Sequence, residues 1–373
     1  MANPSLRLVL FMTPGASLQT WDSLGMFHRE TALYRALQAR GAHVSLLSYG
    51  DGADRRYQHE LPGIDILCNR WGLPPAWYAH LIPVLHGWHL GRASVFKTNQ
   101  TRGGRIALRA ARLWRKPLIA RAGYMWSDFT EREHGVDSPA TARALEAERQ
   151  LFGRADRVVV TTEEMAHGVA ERVPEASGRT TVVPNYVDTD LFSPQPDRRT
   201  ERHLVFVGRL SPQKNVEALL EAVEPLDVTL SIIGSGELEA ALQKRFGTMD
   251  GRVRWEGNIP NQELPARLSQ ATLFVLPSHY EGQPKALMEA MACGLPVLGA
   301  DSLGIRELIR HGETGWLCGT DPPSIRAAVQ ELLARPDLRT EIGRNARRFI
   351  VDHFALDSIA DQEMRLLEEV AAR

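Results

Sequence analysis

The sequence predicts an α/β protein made of two doubly wound, Rossmann-like domains that face a central cleft. The chain has 373 residues, which is more than one ordinary hydrophobic core accommodates. Short apolar strand candidates alternate with helical stretches along both halves, a pattern typical of parallel sheets covered on both faces. The alternation is interrupted by PNYVDTDLFSPQPDRRTER, which is rich in Pro, Asp and Arg and places the boundary near Asn185–Thr200.

The first half contains seven strand candidates separated by helical patterns. One helix is predicted over Arg29–Arg40 and ends at Gly41. Thr161 and Glu164 are predicted to form a capping box at the start of another helix. The strand candidates are LRLVLFM, AHVSLLSY, GIDILC, ASVFKT, PLIARA, DRVVVTT and TTVVP.

The second half repeats this scheme with the strand candidates HLVFVG, VTLSIIG, GRVRWEG, ATLFVLPS and LPVLGA. We therefore predict an N-terminal domain over 1–186 and a C-terminal domain over 187–354. A last helix over 355–373 is expected to cross back to the N-terminal domain. Open α/β sheets bind ligands at the carboxyl ends of their strands, so both domains should direct these loops into the cleft.

Composition excludes several classes of protein. The 44 Lys and Arg residues balance 45 Asp and Glu residues, which argues against a nucleic-acid partner. The three cysteines lie far apart in the sequence and favour a reducing, cytoplasmic compartment. The opening stretch SLRLVLFMTPGAS is interpreted as a first strand because its apolar run is short and contains Arg7. No run of 18 or more apolar residues predicts a membrane span.

The stretch YEGQPKALMEAMACGLPV holds two glutamates eight positions apart. Glu281 is predicted in a loop and Glu289 in a helix that begins near Pro284 and stops at Gly294. The helix N-terminus between them is suited to an anion. A glycosidase-type carboxylate pair and a surface Lys285–Glu289 pair remain open. A third alternative is a long ligand whose sugar and ribose hydroxyls meet the two carboxylates.

Two further segments favour the long ligand. In LVFVGRLSPQKN, Arg209 and Lys214 follow a strand, and two cations on one loop suit a diphosphate. In LSIIGSGELEAAL, Gly234 and Gly236 form a strand-to-helix turn. Glu239 stands where a dinucleotide-binding fingerprint would have its third glycine, which disfavours an oxidoreductase.

Together these segments resemble the GT-B retaining glycosyltransferases of glycosyltransferase family 4. The matching motifs are FVGRLSPQKN, IIGSGELEAAL, WEGNIP, LFVLPSHYEGQPKALMEAMACGLPVLGADSLGIRELI and HGETGWL, with VVPNYVDTDLF as the boundary segment. They occur in order and cover most of residues 181–350. The resemblance is looser over 1–180.

The resemblance implies a donor site in the C-terminal domain and an acceptor site in the N-terminal domain. Glu281, Arg209 and Lys214 are the catalytic candidates, with Glu281 on the donor sugar and the two cations on the diphosphate. The implied donor-binding residues are Gly15, Gly208, Asn258, Gly282, Gln283, Lys285, Ala286 and Glu289. Gly15 should let the backbone approach the phosphates, and Glu289 should bind the ribose.

This chain departs from the family pattern at two places. Pro284 stands where the family often has glycine, and it removes one backbone N–H donor. Many members carry a histidine after the fifth strand, where this chain has LIARAGYMWSDF. Arg121, Tyr124 and Asp128 are the acceptor-side candidates in its place.

The implied reaction moves a sugar from a UDP- or GDP-sugar to an acceptor hydroxyl with retention of anomeric configuration. The setting implied is cell-envelope polysaccharide or glycolipid biosynthesis, with a lipid-linked or saccharide acceptor. No cofactor and no metal are expected, because the twelve histidines are scattered and the protein supplies its own cations. A nucleotide-sugar epimerase of GT-B architecture and a non-catalytic sugar-nucleotide binding module are the alternatives.

A second signal lies in RGGRIALRAARLWRK. Its basic residues recur at helical spacing beside an apolar face of Ile106, Ala110, Leu113 and Trp114. The upstream segment NRWGLPPAWYAHLIPVLHGWHL is rich in tryptophan. Either this is a solvated basic face over a packed apolar one, or it is a peripheral contact with an anionic membrane surface. The residues concerned are Arg102, Arg105, Arg109, Arg112 and Lys116.

Overall fold

The computed structural model describes residues 6–195 and 200–372. The described chain divides into two compact units. The first comprises residues 6–22, 30–185 and 357–372, and the second comprises residues 23–29 and 186–356 apart from the gap. Among the residues in these ranges, no helix combines the length and hydropathy needed to cross a bilayer.

The first unit is built on a seven-stranded parallel sheet with strand order β3-β2-β1-β4-β5-β6-β7. Its strands are β1 (Arg7–Phe11), β2 (His43–Asp51), β3 (Ile64–Asn69), β4 (Val95–Thr98), β5 (Leu118–Ala122), β6 (Arg157–Val160) and β7 (Thr180–Val182). Its helices are α1 (Leu18–Ser23), α2 (Phe27–Ala39), α3 (Pro75–Leu85), α4 (Gly87–Arg92), α5 (Gly104–Trp114), α6 (Trp126–His134), α7 (Pro139–Phe152) and α8 (Glu163–Arg172). The last residue of α1 and the first three residues of α2 fall in the second unit.

The second unit is built on a six-stranded parallel sheet with strand order β10-β9-β8-β11-β12-β13. Its strands are β8 (His203–Val207), β9 (Thr229–Ile233), β10 (Val253–Gly257), β11 (Leu273–Leu276), β12 (Val297–Ala300) and β13 (Trp316–Cys318). Its helices are α9 (Val216–Val223), α10 (Glu239–Phe246), α11 (Leu264–Gln270), α12 (Lys285–Ala292), α13 (Pro322–Ala334) and α14 (Pro336–Phe354). The chain then continues into α15 (Leu356–Ala371).

The central strands carry apolar side chains on both faces because helices cover each sheet on both sides. In β1, Leu8, Val9, Leu10 and Phe11 are all buried. In β11, Leu273 to Leu276 are buried in the same way. This explains why both strands appear in the sequence as unbroken apolar runs, and the predicted two-unit α/β class is confirmed.

All twelve predicted strands are present, and one further strand was not predicted. Strand β13 has three half-buried residues and pairs with β12 at the edge of its sheet. Its segment WLC is too short to show a strand period. The register places Leu317 beside Gly299, so the pairing partner defines this strand rather than its own composition.

The predicted capping box at α8 is wrong by one residue. The cap is Thr162, whose side chain accepts a hydrogen bond from the backbone N–H of Met165. The hydroxyl of Thr161 is buried and donates to the sulfur of Met165 instead. Both residues are threonine, and it is Thr162, with an extended backbone, whose hydroxyl meets the helix end.

The basic stripe predicted over 102–116 also needs correction. Helix α5 spans Gly104–Trp114, so Arg102 and Lys116 lie outside it. Arg115 follows with a left-handed backbone (φ 50°), and it is exposed while Lys116 is half-buried. Leu113 is 57% exposed and does not belong to the packed apolar face.

Helix α15 belongs to the first unit and is joined to it by a buried ion pair. The ammonium of Lys97, on the central strand β4, pairs with the carboxylate of Glu363. Both side chains are almost completely buried. Burial lowers the pKa of Lys97 and the neighbouring carboxylate raises it, with burial the larger effect. Neither charge has access to water, so each requires the other.

We predict that Glu363→Ala destabilises the protein by about 3–5 kcal/mol, because it leaves the Lys97 charge buried without compensation. Replacing both partners with apolar residues, Lys97→Met with Glu363→Leu, should recover most of this loss. The measurement is urea unfolding, with Glu368→Ala on the exposed side of α15 as the control. A double variant as unstable as the single one would show that the pair is not the source of the effect.

Candidate functional site

The candidate site of the second unit centres on an ion pair between two strand ends. Strands β8 and β11 are parallel neighbours, so their carboxyl ends lie side by side. A 3₁₀ turn over Pro212–Lys214 follows β8, and the loop holding Glu281 follows β11. The Nζ of Lys214 donates to Oε1 of Glu281 at 2.5 Å. The Glu281 side chain is only 7% exposed, so this carboxylate depends on its cation.

Residues on either side of Lys214 hold the turn in place. The Nε2 of Gln213 donates to the carbonyl of Tyr280 at 2.8 Å, and the backbone N–H of His279 donates to the carbonyl of Gln213 at 2.9 Å. Asn215 has a left-handed backbone (φ 55°) and donates to the carbonyls of Pro277 and Thr320. Sequence reasoning missed Gln213 and Asn215, although the polar run QKN in the loop after the strand was a signal.

Arg209 lies on the same loop as Lys214 but, unlike Lys214, it is not paired with a carboxylate in the described part of the chain. It is exposed, and no residue in 6–195 or 200–372 forms a hydrogen bond or ion pair with its guanidinium. The loop after β9 packs closely behind it, because a Cβ on Gly234 would lie 2.1 Å from the carbonyl oxygen of Gly208. Gly234 also has φ +124°, which favours glycine. The site thus has one cation paired with a carboxylate and one open to solvent.

Helix α12 carries Glu289, eight residues after Glu281. Pro284 lies one residue before the first helical residue, as its lack of a backbone N–H allows. The Glu289 carboxylate is almost fully buried and accepts a hydrogen bond from Nδ2 of Asn261 at 2.9 Å. Gly294, with φ +65°, follows the C-cap residue. The prediction of a loop glutamate and a helix glutamate is confirmed as geometry.

A second loop, after β12, supports the loop that holds Glu281. The backbone N–H of Glu281 donates to the carbonyl of Leu303 at 2.9 Å, and the hydroxyl of Ser302 donates to the carbonyl of Ser278 at 2.8 Å. Gly304 has φ +78°, and a Cβ there would lie 2.3 Å from the carbonyl oxygen of Gly282. Sequence reasoning missed Ser302 and Gly304. Their role depends on contacts with a segment 22 to 24 residues earlier, which no local pattern encodes.

The remaining donor-side candidates are spread over neighbouring loops. Asn258 is exposed and its Nδ2 donates to Oγ of Ser235 at 2.9 Å, which joins the loops after β9 and β10. The Nζ of Lys285 lies 5.3 Å from the centre of the Tyr186 ring. Gln283 is buried and Ala286 is half-buried. The structure therefore brings Lys214 and Glu281 into direct contact and leaves Asn258 on a separate loop.

In the first unit, the predicted residues lie at the carboxyl ends of β1 and β5. Gly15 has φ +83°, and a Cβ there would meet no atom within 4 Å, so its surroundings are open. The Nη2 of Arg121 donates to Oδ1 of Asn185 at 2.8 Å. The ring of Tyr124 packs on Phe129 with centroids 4.6 Å apart.

The third acceptor-side candidate, Asp128, pairs with Arg172 on α8. This pair lies beside Glu148, a buried carboxylate that accepts hydrogen bonds from the backbone and hydroxyl of Ser127. Burial raises the pKa of Glu148. The polar network at the start of α6 thus ties Asp128 to the helices around it.

No metal centre is assembled by the side chains that the structure describes, since no three His, Cys, Asp or Glu residues are grouped to hold an ion. The chain does contain one Asp-x-Asp triplet, at Asp188–Asp190. Oδ1 of Asp188 accepts hydrogen bonds from the backbone N–H groups of Asp190 and Leu191. The triplet therefore stabilises its own turn in the boundary segment.

Two sequence families match this chain in consecutive segments. The profile described as Glycosyltransferase Family 4 matches residues 30–191. The profile described as glycosyl transferases group 1 matches residues 188–349. Together they account for most of both units.

Relatives of known name that resemble this chain in sequence are glycosyltransferases. A D-inositol 3-phosphate glycosyltransferase of Thermobispora bispora is 30% identical over 285 residues, which is 69% of this chain and 66% of that protein. A GDP-mannose-dependent alpha-(1-6)-phosphatidylinositol monomannoside mannosyltransferase of Mycolicibacterium smegmatis is 30% identical over 263 residues, covering 64% of this chain and 69% of that protein. The chain thus spans about two thirds of the length of these relatives.

Solved structures share the fold over nearly the whole chain. A sucrose-phosphate synthase from Thermosynechococcus elongatus superimposes with a TM-score of 0.84 at 22% identity, covering 98% of this chain and 99% of that one. The Anabaena protein HepE, in complex with UDP and glucose, gives a TM-score of 0.76 at 19% identity over 97% of this chain and 99% of its own. With the sequence matches, these likenesses show that the chain belongs to the GT-B glycosyltransferases of glycosyltransferase family 4.

Proposed function

We propose that this protein transfers a sugar from a UDP- or GDP-sugar to an acceptor hydroxyl, with retention of anomeric configuration. The observation that carries the proposal is the Lys214–Glu281 pair at the ends of β8 and β11. Arg209 adds a solvent-exposed cation to the same loop. A diphosphate attached to a sugar offers both an anion for the cations and hydroxyls for the carboxylate.

In the proposed complex, the donor diphosphate binds Arg209 and Lys214. Arg209 is suited to a bidentate contact and Lys214 to a point charge on the phosphate oxygens. The N-terminal end of α12 adds backbone dipoles, although Pro284 contributes no N–H. The sugar hydroxyls donate to Glu281.

Further from the reaction centre, Glu289 accepts from the ribose hydroxyls. The base lies near Asn258, whose amide is already held by Ser235. This assignment follows the family resemblance, and the separation of the two loops supports it. Gly208, Gly282 and Gly15 are assigned to close backbone approach in the same way.

Free Glu281 and bound Glu281 differ in their partner. Before a donor binds, Lys214 neutralises the buried carboxylate of Glu281. A diphosphate competes for the same ammonium, and the carboxylate then gains sugar hydroxyls as replacement donors. The two halves of the donor are thereby recognised together.

During transfer, the bond between the anomeric carbon and the leaving oxygen breaks, and negative charge grows on the diphosphate. Fixed cations aimed at that oxygen lower the barrier without reorganising during the reaction. The acceptor oxygen forms the new bond to the anomeric carbon, and its proton passes to the leaving diphosphate oxygen. We propose that the protein cations replace a divalent metal in this step.

The acceptor side is assigned to the first unit, with Arg121, Tyr124 and Asp128 as candidates. We propose a lipid-linked or saccharide acceptor and a role in cell-envelope polysaccharide or glycolipid biosynthesis. The description of the M. smegmatis relative as acting on a phosphatidylinositol monomannoside supports this acceptor class. We further propose a cytoplasmic protein whose basic residues around α5 contact the anionic membrane surface.

Incubation with a panel of UDP- and GDP-sugars tests the proposed reaction. We expect one donor to lose its sugar to an added acceptor or, slowly, to water, with release of the nucleotide diphosphate. Recovery of a free isomerised donor would indicate an epimerase instead. Binding of donors without any chemical change would indicate a non-catalytic binding module.

We predict that Glu281→Ala abolishes transfer. The hydroxyls of the donor sugar lose the carboxylate that accepts their hydrogen bonds, and Lys214 loses its ion-pair partner. Lys214→Ala should lower the rate by about 10²–10³-fold if the ammonium stabilises the leaving diphosphate. Glu263→Ala and Lys244→Ala, two exposed positions of the same unit, serve as matched controls. The measurement is the rate of nucleotide diphosphate release with circular dichroism as a check of folding. Near-wild-type turnover in either site variant would contradict the assignment.

We also predict that transfer persists in excess EDTA, because Arg209 and Lys214 supply the positive charge at the leaving group. The rate of diphosphate release with and without chelator measures this. Complete loss of activity that Mg²⁺ or Mn²⁺ restores would overturn the metal-independent mechanism.

A further inference from the structure

One surface of the first unit combines exposed apolar side chains with many arginines. Among the described residues, eight large hydrophobic side chains are exposed, and five of them lie on or beside α3, α4 and α5. These five are Trp71, Trp77, Val84, Trp88 and Leu113. We call the surface that they form with the surrounding arginines the aromatic–basic face.

The three helices under this face are packed firmly together. The indole Nε1 of Trp114, on α5, donates to the carbonyl of Pro83 on α3 at 2.7 Å. The same ring lies against two glycines of α4, since a Cβ on Gly87 would be 2.8 Å from it. Trp114 therefore packs between the helices, whereas Trp71, Trp77 and Trp88 are exposed to solvent.

Exposed apolar residues of α3 and α4 lie beside basic side chains. Trp77 and Val84 are two helical turns apart and share one side of α3, where they are 64% and 69% exposed. His80 lies between them in sequence and faces the guanidinium of Arg109 on α5, 3.3 Å away. Trp88 is 71% exposed, and Arg92 lies over its ring at 4.4 Å. Apolar and basic groups thus alternate across the same face.

The charge of this part of the chain is extreme. Residues 66–127 contain ten Lys and Arg residues and no Asp or Glu, so they carry +10. The whole chain carries −1, so the remainder carries −11. The exposed arginines of this segment are Arg70, Arg92, Arg102, Arg105, Arg109, Arg112 and Arg115. These seven exposed arginines, rather than the buried Lys97, supply the positive surface charge of the segment, and such charge on a nearly neutral protein favours an anionic partner.

We propose that the aromatic–basic face docks on an anionic phospholipid bilayer, with Trp77, Val84 and Trp88 entering the headgroup boundary. This deepens the peripheral attachment in the proposed function and names the residues that make it. Tryptophan is favoured at the membrane–water interface, where its ring meets acyl chains and its N–H meets polar groups. Arginine binds lipid phosphates through its planar fork while the apolar residues are buried.

The face also reaches the proposed acceptor side. The guanidinium of Arg102 lies 5.7 Å from the ring of Trp126, the first residue of α6. Tyr124 stands just before that helix, in the loop after β5. Docking of the face would therefore bring this loop to the bilayer, where a lipid-linked acceptor resides.

The test is co-flotation of the full chain with vesicles of phosphatidylcholine alone or mixed in equal parts with phosphatidylglycerol. We expect binding to the mixed vesicles only, with release by salt because the attraction is screened. Arg105→Glu with Arg112→Glu should weaken this binding by about 30-fold or more. Arg143→Glu with Arg149→Glu, an exposed pair on α7, makes the same change of net charge and should leave most of the binding intact.

The apolar contribution is tested with matched serine variants. Val84→Ser should weaken vesicle binding, whereas Val136→Ser, at a valine that is 64% exposed outside the face, should not. Brominated lipids should quench the fluorescence of the wild-type protein. That quenching should fall in Trp77→Phe with Trp88→Phe, while binding is largely retained because phenylalanine still enters the interface.

Equal binding to both kinds of vesicle, binding to neither, or equal losses in the site and control variants would each overturn the docking proposal. Diphosphate release with the preferred donor is measured on the same variants without lipid. Intact release with no vesicle binding would leave the sugar-transfer proposal standing alone. Vesicle binding with no turnover of any donor would do the reverse.

Discussion

The ion pair between Lys214 and Glu281 is the interaction on which the centre of the second unit depends. The Glu281 side chain is deeply buried, and its ion pair with Lys214 joins the turn after β8 to the loop after β11. Gln213, Asn215 and the loop after β12 fix both ends of that contact. In the proposed reaction, the diphosphate binds Lys214 and the sugar binds Glu281. Because these two side chains are paired with each other, recognition of the diphosphate and recognition of the sugar depend on one another.

Charge is also divided unevenly along the chain. The basic surface of the first unit is separate from the cations of the second unit that are proposed to bind the donor. The near-zero net charge argued against a nucleic-acid partner, but it hides an acid-free segment over 66–127. The exposed arginines of that segment belong to the aromatic–basic face of the first unit. The cations proposed to act on the donor belong to the second unit and follow β8. The separation allows the proposed membrane contact and the proposed donor chemistry to be tested independently by substitution.

Much of this structure could be predicted from the sequence because parallel strands buried on both faces leave continuous apolar runs. The loop position of Glu281 and the helical position of Glu289 followed from Pro284 and Gly294. Features set by distant contacts could not be predicted. The short strand β13 forms by pairing with its neighbour β12, and Gly304 is required by close contact with the loop that holds Gly282. The partners Lys97 and Glu363 are 266 residues apart in the sequence. The exposure of Leu113 and the choice of Thr162 as the helix cap depend on where a helix begins or ends to the exact residue. A periodic apolar pattern does not locate helix ends that accurately.

The most direct test of the shared use of Lys214 is a pair of calorimetric titrations on Glu281→Gln. Bare UDP or GDP, whichever the wild-type protein binds, should bind the variant as tightly as the wild type or more tightly, because Lys214 no longer has to leave a carboxylate. The matching nucleotide sugar should bind more weakly, because its hydroxyls lose a charged acceptor. Opposite or divergent changes for the two ligands are the predicted result. An equal loss of affinity for both would show that Glu281 only maintains the loop, and would contradict the account.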